Sequence, residues 1–342
     1  MRRAALLMAV MTSAALAAAG VAAPAALASG PSPGTAATPL IAVVTQTRTS
    51  VNGELLVKQG SLTAAWSREH GGVAQAAVAT DPVHGPLIAA VTASGELLVK
   101  QGRLNAPWNH EHSGIYAVAV ATDPVHGPLI VAVTTKGVLL AKDGSLSAAW
   151  TTEYGGGLNE VPAQFAAASD AVHGPLIGLI TGGGELLVKE GGLAATWNHE
   201  HGGVDQVALA SDTRHGPLIA TLTSKGELLV KQGRLGAGWH SEHGGVGSVA
   251  VASDPARGAL IGVVLFAPDH DLGDLLAKEG SLSARWHSEH IDVFRAAVAS
   301  DPVHGPLIGV QTYFSDVLVK EGSLSASWNT EHASTTQVAV AG

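Results

Sequence analysis

The chain has no cysteine. That excludes disulfides, thiolate zinc sites and cysteine nucleophiles. Aromatic residues are scarce at 4%, and charged residues make up only 14%. Alongside 46% apolar residues, so few charges exclude a disordered chain and a coiled coil. Basic residues are not in excess either: the formal net charge is −9. Nucleic-acid binding needs a basic footprint, so no nucleic-acid partner is expected. The 42 glycines follow no Gly-X-Y register, which excludes collagen and points to many turns.

The N-terminus reads as an address. Arg2 and Arg3 precede an uncharged Ala/Leu/Met/Val stretch, and Ala26-Leu27-Ala28 gives a small-x-small cleavage pattern. Residues 1–28 are therefore expected to be a secretory signal peptide, cut after Ala28. Loss of two arginines and no acids takes the charge from −9 to −11. Residues 29–38, with Pro31, Pro33 and Gly34, form a flexible lead-in. No later run is apolar for long enough to span a bilayer. The mature protein is expected outside the cell, where a chain without disulfides needs a large closed core.

What is present is a repeat. Tryptophan recurs at Trp66, Trp108, Trp150, Trp197, Trp239, Trp286 and Trp328, at spacings of 42, 42, 47, 42, 47 and 42. Four strand signals fit inside a unit: Gln75–Ala79, Pro86–Thr92, Glu96–Lys100 and a short stretch around Trp108. Asp-Pro, Ser-Gly, Gln-Gly and Gly-Gly steps punctuate them, as tight antiparallel turns require. Four short strands per 42 residues, seven times over, predicts an all-β, seven-bladed β-propeller over residues 39–342. The chain enters at the second strand of a blade (Pro39-Leu40-Ile41) and ends at a first strand (Gln337–Ala341). A mixed N-/C-terminal blade would close the ring and remove exposed edges. A stacked solenoid would show capping repeats, and both ends here read as interior repeats.

Strand order assigns the faces. The turns between strands one and two and between strands three and four share one face. Turns between two and three share the other with the blade-to-blade connections. Three insertions, at Gln46–Asn52, Gly155–Gln164 and Ala267–Asp274, all fall on that second face, which is taken as the working face.

Several residues recur with the repeat. The turn Asp81-Pro82-Val83-His84-Gly85 returns from Asp123, Asp170, Asp212, Asp254 and Asp301, with Arg257 replacing one histidine. It reads as a capped turn; an Asp–His pair for proton transfer is the other use of these residues. A Glu-His pair follows each tryptophan: Glu69-His70, Glu111-His112, Glu200-His201, Glu242-His243, Glu289-His290 and Glu331-His332, with Glu153-Tyr154 in the remaining copy. Two readings stand. The pair locks the outer strand by hydrogen bonds, or it forms a polar rim for ligand hydroxyls. The tryptophan likewise is a wedge between blades or a platform for a sugar ring. One lysine per repeat (Lys58, Lys100, Lys142, Lys189, Lys231, Lys278 and Lys320) is either a solvated edge charge or an inter-blade ion-pair partner.

One cluster breaks the symmetry. Asp269, Asp271 and Asp274 lie within six residues beside Gly273. That is a donor set for a hard cation such as Ca2+, or a solvated loop; no cofactor is otherwise required. His110/His112 and His199/His201 are i, i+2 pairs that would point the same way on a strand, giving adventitious zinc or nickel affinity. There is no phosphate loop, His-Glu-x-x-His helix or Gly-x-Ser-x-Gly elbow. No single residue stands out as nucleophile or base, which weighs against an enzyme, although a propeller can assemble a site from scattered loops.

The pattern Val-Ala-x-x-x-Asp…Gly-x-Leu-x-x-x…Gly-x-Leu-x-Val-Lys…Trp…Gly-Gly resembles the bacterial and fungal propeller lectins of the tectonin and fucose-binding type. The likeness runs from Pro39 to Gly342. It implies sugar binding in repeated pockets at or between blades, and the positions that match are the seven tryptophans and the Glu-His pairs. The sequence therefore reads as a secreted non-catalytic binding module for carbohydrate. Two alternatives remain: a scaffold for an extracellular or cell-surface protein, and a polysaccharide-active hydrolase or lyase with one site in the central funnel.

Overall fold

The computed structural model describes residues 17–19, 38–45, 53–155, 162–266 and 273–342. Among them there is no helix, and, Ala17–Ala19 apart, the strands form antiparallel sheets. One sheet contains, in chain order, Ile115–Asp123, Gly127–Thr134, Leu139–Lys142 and Thr151–Tyr154. A second runs Pro162–Asp170, Gly174–Thr181, Glu185–Glu190, Asn198–Gly202, and a third Val204–Asp212, Gly216–Thr223, Leu228–Gln232, His240–His243. Elsewhere the sheets are linked. Ser67–Asp81 and His287–Asp301 each begin as the outer strand of one sheet and continue as the inner strand of the next.

The first strands are neighbours in a circle. Ser67–Asp81 lies beside Ile115–Asp123, and the series continues through Pro162–Asp170, Val204–Asp212, Val246–Asp254 and His287–Asp301 to Thr335–Ala341. That last strand lies beside Ser67–Asp81 again. The sheets therefore stand radially about an axis, as a β-propeller. Thr335–Ala341 also pairs with Leu40–Thr45, in register from Leu40 opposite Ala341 to Thr45 opposite Thr335. The first strand of the repeat region and the last strand of the chain thus share one sheet. A three-residue strand, Ala17–Ala19, runs parallel to Val298–Ser300 beside these inner strands.

Residue size follows position. Inner strands carry buried alanines such as Ala76, Ala77 and Ala79, where neighbouring sheets converge, and second strands carry branched residues such as Leu87 and Ile88. Packing sheet against sheet in this way removes both faces of the first and second strands from water, which is why those runs are apolar rather than alternating.

The turns fall on the expected faces. Gly102, in a strand 3–4 turn, donates its N–H to the Pro86 carbonyl at 2.9 Å. A Cβ on Gly85 (φ 72°), in the strand 1–2 turn, would stand 2.7 Å from the Gly102 carbonyl oxygen. Only glycine fits there. On the opposite face Ile115 N–H donates to the Gly95 carbonyl at 2.8 Å, joining a strand 2–3 turn to a blade-to-blade connection.

The outer strand departs from the sequence expectation. It covers Asn109–His112, after Trp108 rather than around it, because the indole leaves its own sheet to pack on the preceding one. Each outer strand is also bulged: Leu97 faces His112 and Leu98 faces His110, so Glu111 is an extra residue. The same shift places Glu69, Glu153, Glu200, Glu242, Glu289 and Glu331 on bulges. A bulge re-aims a side chain out of the alternating pattern, and here it turns the glutamate toward the next sheet.

Candidate functional site

The recurring tryptophan, lysine, glutamate and histidine meet at the seams between sheets. Lys100 Nζ bonds both the Leu104 carbonyl and the carboxylate of Glu69 in the preceding repeat. The side chains of the two charged partners are 2% and 4% exposed. The same pairs form at Lys58–Glu331, Lys142–Glu111, Lys189–Glu153, Lys231–Glu200, Lys278–Glu242 and Lys320–Glu289. Each lysine also stands over the tryptophan of its own repeat, 4.8–5.2 Å from the ring. Of the two roles open to the lysine, the structure selects the inter-blade ion pair. Two charges buried together need hydrogen bonds as well as each other, and the leucine carbonyl supplies one.

The tryptophan crosses the same seam. Trp108 Nε1–H donates to the Glu69 backbone carbonyl at 3.1 Å. Trp66, Trp150, Trp197, Trp239 and Trp328 do the same to Glu331, Glu111, Glu153, Glu200 and Glu289. All seven indoles are half-buried against the seam clusters.

Histidine forms the outer wall. His70, His112, His201, His243, His290 and His332 meet the next tryptophan edge-to-face, with ring centroids 5.5–5.9 Å apart. In the remaining seam Tyr154 takes the histidine's place in the sequence, and it and Trp197 pack on the same apolar cluster. Every one of these histidines places Nδ1 on the carbonyl of the following residue. A carbonyl only accepts, so Nδ1 carries the proton and Nε2 of the neutral ring keeps its lone pair. No group among the described residues bonds that Nε2.

The bulge also separates the paired histidines. His110 turns Nε2 to Glu96, while His112 packs on Trp150. His199 and His201 divide likewise between Glu185 and Trp239. The i, i+2 rule for a regular strand fails because Glu111 and Glu200 are inserted between them. Hydrogen bonds from His110 and Ser113 hold the Glu96 carboxyl below its usual range. Among the described residues no three His, Asp or Glu side chains are arranged to hold a metal ion. Asp269 and Asp271 lie outside the described residues, as do most of the three insertions. Asp274 is exposed on Gly273–Gly280.

The Asp-Pro-Val-His-Gly turn is a cap, and also a latch. Asp81 Oδ1 accepts the Val83 and His84 N–H groups at 2.8 and 2.7 Å, and His84 Nδ1 lies 3.1 Å from Oδ2. Oδ2 also accepts the hydroxyl of Thr122 in the next repeat. Ser169, Ser211, Ser253 and Ser300 do this for Asp123, Asp170, Asp212 and Asp254. A second latch escaped the sequence reading. Gln75 accepts the Val118 N–H and donates to the Val118 carbonyl, and Gln337 does the same to Ala76. Its signal was present: glutamine recurs at Gln75, Gln164, Gln206 and Gln337.

Behind this turn the third strand ends in an acid in some repeats. Desolvation raises the carboxyls of Glu190, Glu279 and Glu321, partly opposed by His173, Arg257 and His304 respectively.

No family model matches the sequence, and no curated protein does. Solved structures share the fold. BP39L lectin from Burkholderia pseudomallei superposes with a TM-score of 0.61 at 16% identity, covering 88% of this chain and 96% of the lectin. Apo AztD from Citrobacter koseri gives 0.57 at 11% identity, covering 89% and 98%. SapL1 lectin, in complex with alpha methyl fucoside, gives 0.51 at 12% identity, covering 76% and 95%. At these identities the likeness speaks for the propeller fold, which propeller lectins share.

Proposed function

We propose that the chain is a secreted, non-catalytic lectin: a seven-bladed propeller, cut after Ala28, that binds carbohydrate at equivalent seams around its ring. The observation that carries this reading is the state of the seam histidines. Six imidazoles have Nδ1–H committed to a backbone carbonyl, which leaves six Nε2 acceptors without a partner among the described residues, each beside a half-buried indole. An acceptor next to an aromatic edge suits a sugar, which offers hydroxyl donors and an apolar C–H face. The seam glutamates act from behind. They hold the lysine, and through it the indole, rather than meeting ligand.

The test is calorimetry on the mature protein. Several equivalent sites per chain are expected, each with a Kd of ~0.1–1 mM, about −4 to −5.5 kcal/mol. A multivalent glycan surface should bind roughly 10²–10⁴ tighter, because linked sites add avidity without new contacts. One site per chain, lost on altering the channel-mouth loops, would point to a funnel enzyme; no sugar heat would point to a protein scaffold.

A further inference from the structure

The repeats serve as controls for one another, and one seam sector departs from all of them. Where other blade-to-blade connections read Gly71-Gly72 or Ser113-Gly114, this one reads Ile291-Asp292. Where other strand 2–3 turns read Ala93-Ser94-Gly95 or Ser224-Lys225-Gly226, this one reads Tyr313-Phe314-Ser315. The Tyr313 N–H donates to the Asp292 carbonyl at 3.0 Å, so the two segments form one surface. Phe294, the bulged residue between the register pairs Val293–Thr312 and Arg295–Gln311, is exposed two positions after Asp292, as Tyr116 is at the equivalent bulge of another repeat. Phe314 and Tyr313 are 76% and 57% exposed and meet edge-to-face at 5.6 Å. The Arg295 guanidinium packs 5.0 Å from the Phe294 ring.

The backbone departs at the same place. Among the described residues only Asp292, Ser315 and Ser334 adopt left-handed φ without being glycine, at 58°, 66° and 57°. The equivalent Gly72, Gly95 and Gly114 adopt the same conformation without a side chain to strain it. Strain of this kind, confined to one sector of a repeated scaffold, marks a position kept for something other than folding. Asp292, whose carbonyl holds the Tyr313 N–H, and Asp316, two positions after Phe314, carry carboxylates with no partner among the described residues.

We propose that this sector is a single additional site for a neutral sugar residue, which lays its C–H face on Phe314, the more exposed ring, with Tyr313 standing at its edge, and donates hydroxyls to Asp292 and Asp316. The two carboxylates favour a hydroxyl-rich neutral ligand over an anionic one. The site deepens the lectin reading and rests on it for the ligand class, but it shares no residue with the seam histidines.

Two variants test it against a neutral oligosaccharide in calorimetry. The triple variant Phe294→Ala, Tyr313→Ala, Phe314→Ser installs the residues found at the equivalent Ala74, Ala93 and Ser94, so the fold has a precedent for it. It should lose one site from the stoichiometry and keep the rest. Asp292→Gly should raise the melting temperature by relieving the left-handed strain, and weaken this one site roughly tenfold. An unchanged stoichiometry in the triple variant, with seam binding intact, overturns the proposal and leaves the lectin reading standing. One wild-type site that the triple variant abolishes overturns the repeated seam sites and sustains this one. No sugar heat in any variant overturns both. Loss of self-association in the triple variant, with all sugar binding retained, makes the sector a protein interface and also overturns the proposal.

Discussion

Lys58 and Glu331 stand 273 positions apart in the chain and form a buried ion pair. It is the same latch as Lys142–Glu111, placed where the first strand of the repeat region and the last strand of the chain share a sheet. The neighbouring Asp-to-hydroxyl latch is missing at this junction, since Gly342 faces Asp301 where other seams offer serine or threonine. Removing one partner of a buried pair strands the other charge, so Glu331→Gln should cost about 3–5 kcal/mol in urea unfolding. Glu111→Gln should cost a similar amount but leave the protein monomeric, whereas Glu331→Gln should promote aggregation through an opened edge. Lys58→Met combined with Glu331→Leu should recover most of the loss. Equal, small effects from all three would show that the latch does not hold the ring.

Deleting Thr335–Gly342 should be far worse than either substitution. It removes the strand that pairs with Leu40–Thr45 and the Gln337 amide that bridges to Ala76. The remaining sheet loses its inner edge, and two adjacent sheets lose a packed face. The expected product is aggregated or unfolded, by light scattering and circular dichroism. A monomer with an unchanged melting curve would refute closure by this strand.

The three desolvated glutamates give a pH dependence with a definite sign. Glu190, Glu279 and Glu321 titrate above their usual value of 4.5 in the folded state. The fold therefore favours their protonated form, and stability falls as pH rises from the usual value through the raised one. Other repeats carry Gln59, Gln101 and Gln232 at this position. The triple variant Glu190→Gln, Glu279→Gln, Glu321→Gln should melt higher than wild type at neutral pH. The gap should close as pH is lowered toward 4.5, read by thermal melts at matched ionic strength. A gap that widens on acidification would reverse the assignment.

The repeat made the sheets legible, because turn residues and apolar runs recur at a fixed spacing. Both faces and the shared terminal sheet follow from strand order alone. The seam was harder to read. Glu111 looks like a surface residue of a short polar strand, and only the bulge opposite Leu97 and Leu98 sends it inward to Lys142. A bulge leaves no mark on hydrophobic periodicity. The lysine is ambiguous for a related reason: its stem belongs to an apolar strand, and its charge is satisfied by a residue 31 positions earlier. Gln75 was overlooked because its partner is the backbone of the next repeat, which carries no side-chain signature. The sector at Ile291–Phe314 was visible as composition but not as a surface, since its parts lie on separate segments joined only through Tyr313 and Asp292.

The seam histidines separate a binding role from a structural one. His201→Phe retains an aromatic ring against Trp239 and leaves the Glu200–Lys231 latch untouched, but removes both the Nε2 acceptor and the Nδ1–H bond to the Gly202 carbonyl. If the seams bind sugar, this variant should lose one site from the calorimetric stoichiometry, with a stability loss no larger than the about 0.5–1.5 kcal/mol of the missing Nδ1–H bond. Adding His70→Phe, His112→Phe and His243→Phe should remove one site each, with the per-site Kd of those remaining unchanged. Binding to a multivalent surface should fall much faster than the site count, because avidity depends on how many linked sites engage at once. A purely structural role for histidine predicts the stability losses alone: melting temperatures that fall with each substitution, and sugar stoichiometry that does not change.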